Sequence, residues 1–169
     1  MLKAKSYNLK ATSGFTLIEL LIVIAIIAIL AGVVFVSLDP LTRFQDARDA
    51  ARWTDTTALL SAIKVDQVDN GGAYLSEVTS LTAGTNYMIG TASSGCNAAA
   101  CSEVTATGNC VDLTDLSTQG YLGNIPISPN GAGTWDENLT GYYLAKNTNG
   151  SITIGACDAE GADPITVNR

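Results

Sequence analysis

The chain has 169 residues, 47% of them apolar and only 15% charged, with a net charge of −7 and no histidine. That length holds one small domain with an appendage. The missing histidine removes the commonest general base and metal ligand, and the acidic surplus repels nucleic-acid phosphates.

Charge and hydropathy are segregated along the chain. Lys3, Lys5 and Lys10 precede Gly14 with no acidic residue among them, so the other six Lys and Arg accompany all 16 Asp and Glu. Leu20 to Val36 form 17 consecutive positions without a charge, which excludes a purely soluble domain, a disordered chain and a coiled coil. A basic start followed by an apolar run is the pattern of an export signal. The small residues Ala25, Ala28, Ala31, Gly32 and Ser37 supply no pair two apart, so the ordinary secretory cleavage site is missing. Phe15 to Leu38 would make roughly 36 Å of helix, enough to cross a hydrocarbon core of about 30 Å.

Glu19 interrupts this span. A carboxylate inside a transmembrane helix costs on the order of 2.5–3.5 kcal/mol, so it either reaches the headgroups or meets a cation on another chain. Cleavage after Gly14 would create that cation, an ammonium on Phe15, one helical turn away. Ala25, Ala28 and Gly32 leave a small-residue face on which helices can approach closely, or serve as ordinary membrane filler.

The string Gly14-Phe15-Thr16-Leu17-Ile18-Glu19-Leu20-Leu21-Ile22-Val23-Ile24, behind a short basic leader, resembles the class III signal of type IV pilins and type II secretion pseudopilins. The resemblance implies an α+β pilin-like fold, a long N-terminal helix packed on a small antiparallel sheet. It implies removal of residues 1–14 by a prepilin peptidase/methyltransferase and N-methylation of Phe15. It further implies Glu19-dependent assembly with copies of the same chain on an inner-membrane platform. Such a chain passes once through the cytoplasmic membrane with its head outside, then joins an extracellular pilus or a periplasmic pseudopilus. The expected organisation is leader 1–14, membrane or filament-core helix 15–38, amphipathic helix 39–70 and head 71–169.

Asp39-Pro40 suits a helix restart, or a kink within one long helix. Leu41, Phe44, Ala47, Ala51, Ala58, Leu59, Ala62 and Ile63 repeat at three and four residues and predict a buried stripe. Arg43, Asp46, Asp49, Arg52 and Asp55 recur every third residue, which predicts a solvated face of i,i+3 pairs or contacts that set register between subunits. Asp69-Asn70-Gly71-Gly72 should end the helix. That junction, with Tyr74 beyond it, also resembles the opening of the head in major pseudopilins.

In the head, Val111–Gln119 predicts a short helix capped by Asp112. Tyr121–Ser128, Thr140–Lys146, Ser151–Cys157 and Ile165–Val167 predict strands, with Asn149-Gly150 as a hairpin turn. Cys96, Cys101, Cys110 and Cys157 suit an oxidising exterior and allow three pairings. The expected one is Cys96–Cys101 as a local loop with Cys110–Cys157 across the head, the latter also implied by the disulfide that closes the C-terminal region of many pilins. Zinc is disfavoured, because neither histidine nor a C-x2-C spacing is present. No cofactor is expected beyond a candidate calcium site at Asp158, Glu160 and Asp163, whose hard oxygens crowd one acidic turn. Ser61-x-x-Lys64 matches an acyl-enzyme string but lacks its partner motifs, and the chain reads as a structural filament subunit, a major-type pilin with a major pseudopilin as the alternative and a membrane-tethered binding module as the second, not an enzyme.

Overall fold

The computed structural model describes residues 14–96, 101–131, 134–161 and 163–169, so Lys3, Lys5, Lys10 and all of the leader except Gly14 lie outside the described residues. The described residues fall into two compact units, one ending at Pro40 and one beginning at Leu41. In the first unit, α1 spans Leu17–Leu38 and none of its side chains is buried. It stops where sequence requires. Pro40 has no N–H and its ring disfavours helical backbone at the residue before it. Asp39 takes up the left-handed conformation with φ 37°, a region that Asp tolerates better than most residues. A new helix, α2, starts at Pro40 and runs to Asp69. The restart reading therefore holds, and α2 ends at the expected glycines, Gly71 and Gly72, both with positive φ.

The second unit is α2 against a four-stranded antiparallel sheet with two short helices. In chain order these are α3 (Ser76–Thr79), β1 (Asn86–Met88), α4 (Thr114–Thr118), β2 (Tyr142–Lys146), β3 (Ile152–Ala156) and β4 (Thr166–Asn168). The strands lie side by side as β1-β2-β3-β4. Gly150, with φ 83°, closes the β2–β3 hairpin by donating its N–H to Asn147 O at 3.0 Å. Alternation then sorts the side chains. Tyr142 and Leu144 join Ile152, Ile154 and Ala156 in one cluster with Leu59, Leu60, Ala62 and Ile63 of α2. Each such Leu or Ile contributes about 1.5–3 kcal/mol by leaving water. Tyr143 and Met88, cross-strand partners, belong to a second cluster with Trp135, Val104 and three of the cysteines. Gly155 pairs with Tyr143, and a Cβ there would collide with the Tyr143 ring.

Several expectations need correction. The stripe on α2 is buried only in its C-terminal half. Leu41 and Phe44 are exposed, and the buried set is Arg52, Thr56, Leu59, Leu60, Ala62, Ile63 and Asp66. Tyr121–Ser128 is not a strand. The N–H groups of Tyr121 and Leu122 both return to Leu116 O to finish α4, and Pro126 has no N–H to offer a ladder. Val111, placed in a helix by the pattern, instead forms a parallel bridge with Ile89. Asp112 is not the cap expected of it: the N-cap of α4 is Leu113, without a side-chain bond, and Asp112 Oδ1 accepts the Thr114 N–H at 2.9 Å in a turn just ahead of the helix.

Candidate functional site

The sequence motif at the start of α1 has a defined local geometry. Thr16 is the N-cap and Glu19 the third helical residue, and they form a reciprocal capping box. The Thr16 N–H donates to Glu19 Oε2 at 2.8 Å, and the Glu19 N–H donates to Thr16 Oγ1 at 3.3 Å. Two N–H groups that every helix start leaves orphaned are thus satisfied, and the carboxylate sits at the positive end of the helix dipole. The Thr-x-x-Glu spacing carries this signal openly, yet a reading centred on charge passes over Thr16. Phe15 is 93% exposed just outside the cap. A Cβ on Gly14 would meet no described atom within 4 Å.

In the second unit only the start of the charge repeat on α2 is a solvated face. Arg43–Asp46 is an exposed pair at 3.7 Å, as expected. Arg52, by contrast, is 0% exposed. Its Nε donates to Ser128 Oγ at 3.0 Å and its Nη2 to Pro129 O at 2.9 Å. Nη1 donates to Asp49 Oδ1 at 2.7 Å and to Glu160 Oε1 at 3.0 Å. Arg48 grips the same Glu160 with Nε at 2.6 Å and with Nη2. Asp49 completes the lattice by accepting the N–H groups of Glu160 and Gly161. Hydrogen bonds from Arg48 and then Arg52 hold the Glu160 carboxyl down at about 2, against an ordinary 4.5. Gly131 permits the approach, because a Cβ there would lie 2.6 Å from Glu160 Oε1. Asp55, on the same supposed surface face, accepts the Tyr142 hydroxyl at 2.6 Å, and burial together with that carboxylate pushes the phenol up.

The candidate calcium carboxylates are accordingly committed elsewhere. Glu160 serves the two arginines, Asp158 Oδ2 accepts Trp135 Nε1 at 2.7 Å, and Asp163 is exposed. The structure does not bring the three together. The Lys64 ammonium goes to Gln67 Oε1 and the Tyr74 hydroxyl, as for an ordinary helix residue.

The cysteine pairing is also corrected. The structure joins Cys96 to Cys110 and Cys101 to Cys157, with Cα atoms 5.2 and 4.8 Å apart, in place of Cys96–Cys101 and Cys110–Cys157. The backbone explains the first bond. Cys110 N–H donates to Ala92 O while Cys96 N–H donates to Gly108 O, so the two segments run side by side. Cys157, held beyond β3 by its N–H to Gly141 O, shares the second cluster with Cys101.

A long N-terminal helix followed by a small open antiparallel sheet defines a pilin-like α+β fold. Residues 9–35 match the family described as the prokaryotic N-terminal methylation motif, and the chain therefore carries the class III signal of type IV pilins and pseudopilins. Comparison with curated proteins and with solved structures gives no significant match.

Proposed function

We propose that this chain is the major-type structural subunit of a type IV pilus-like extracellular filament. The observation that carries the reading is α1, a 22-residue helix, uncharged but for Glu19, with no buried side chain. Its length of about 33 Å fits a bilayer core before assembly. Afterwards only neighbouring copies of α1 can remove the same surface from water. A prepilin peptidase/methyltransferase cuts between Gly14 and Phe15 and methylates the new terminus. Gly14 offers that peptidase a backbone without a side chain at the scissile bond. Glu19 holds its own helix start in the membrane-bound subunit. In the filament it meets the Phe15 ammonium of an axially staggered copy delivered by the assembly platform.

Shearing filaments from cells and finding this chain by mass spectrometry as their main component supports the proposal. A chain confined to the periplasm, whose deletion blocks protein secretion and leaves surface filaments intact, identifies a pseudopilin instead. The junction at Asp69–Tyr74 is the observation that favours that second reading.

A further inference from the structure

Asp66 is the last buried side chain of α2, 1% exposed, and only one of its carboxylate oxygens has a hydrogen-bond partner. Oδ1 accepts from Asn70 Nδ2 at 2.8 Å, whereas Oδ2 has none. Leaving such an oxygen buried and unsatisfied is costly, and more so when it is charged. Glu77, in the first turn of α3, repeats the pattern. Its Oε1 accepts from Ser76 Oγ at 2.9 Å and its Oε2 is buried without a partner. Both residues line one cleft of about 350 Å³ together with Asn70, Ser76, Asp115 and Gln119. Among the described residues no Lys or Arg lines it, and the nearby Lys64 ammonium is taken up by Gln67 Oε1 and by the hydroxyl of Tyr74 at the cleft's edge. Burial, with Asp69 and Asp115 nearby, pushes the Asp66 carboxyl up against the pull of Asn70.

We propose that this cleft binds a divalent, oxygen-seeking cation through Asp66 Oδ2 and Glu77 Oε2. The lining offers carboxylate, amide and hydroxyl oxygens with neither thiol nor imidazole, the donor set of calcium and magnesium. Among the described residues no three acidic or Cys side chains are arranged to hold an ion. Water, for which the cleft has room, therefore completes the shell, and Asp115 acts through it. Two carboxylates and a hydrated shell give weak binding, in the range of about 0.1–1 mM typical of extracellular calcium modules. The ion ties the end of α2 to α3 across the glycine turn at Gly71-Gly72.

The test is thermal unfolding of the exported full chain with about 5 mM calcium or magnesium, against chelator at matched ionic strength. The expected midpoint gain is about 3–6 °C. It disappears in Asp66→Asn and in the part-exposed Glu77→Gln, and calorimetric titration of either metal shows one site in the wild type only. Absence of a shift with both metals overturns the proposal. A shift of equal size in both variants also overturns it, because the ion then binds elsewhere. If Asp66→Asn is more stable than the wild type at every metal concentration, Asp66 is simply a protonated carboxyl and the cation site is refuted.

Discussion

The two long helices invert the usual relation between apolarity and burial. Uncharged from Leu20 to Val36, α1 buries nothing, while α2 carries arginines and aspartates along its length and buries seven residues, Arg52, Thr56 and Asp66 among them. Burial follows from having a partner, and among the described residues none of the side chains of α1 is buried. On the function proposed above, a membrane or a bundle of copies supplies that cover. On α2 the partner is the chain's own sheet and the segment Asp158–Gly161, so its charges find acceptors and its apolar residues find a core.

Changing a charge in each helix should therefore break different things. Glu19→Ala should leave insertion and leader cleavage intact and reduce filament yield by at least about 100-fold at equal subunit level, since stranding one member of a buried ion pair costs about 3–5 kcal/mol. Quantifying sheared filaments against membrane-bound subunit checks this, and the head's unfolding midpoint should not move. Arg52→Ala should do the reverse. Asp49 and Glu160 lose their buried counter-charge, and the head should lose about 3–5 kcal/mol in denaturant titration. Arg43→Ala, on the same helix but exposed, should cost under about 1 kcal/mol. A Cys101→Ser, Cys157→Ser double variant should lose about 4 kcal/mol on the chain-entropy account for its 56-residue separation, and opening Cys96–Cys110 about 3 kcal/mol for 14.

The buried cluster also gives the head a pH dependence. Glu160 is held down by Arg48 and Arg52 in the folded head, so its contribution is fully present above its ordinary 4.5 and is lost as pH falls towards about 2. Unfolding midpoints followed from pH 6 to about pH 2.5 should fall more steeply in the wild type than in Glu160→Gln.

What the sequence discloses divides along the same line. The processing signal is linear, so Gly14, Phe15 and Glu19 are legible at once. The hairpin at Asn149-Gly150 and the helix stop at Gly71-Gly72 are legible too, because turn chemistry is local. Arg52 is not. Charges at three-residue spacing read identically on a solvated face and on one covered by another segment, and the cover here comes from Ser128, Pro129 and Glu160, far along the chain. Cysteine connectivity fails for the same reason. Cys96 is near Cys101 in sequence but faces Cys110 through a backbone pairing that no local pattern announces. Asp158, Glu160 and Asp163 crowd together as letters, yet successive residues of an irregular segment point to different partners.

The most direct test of the account is the intact mass of this chain recovered from sheared surface filaments. Residues 15–169 carrying one added methyl group at Phe15, with all four cysteines oxidised, is the predicted species. A chain in filaments that still begins at Met1, or one cut beyond α1, would contradict processing at Gly14 and assembly through the N-terminal helix.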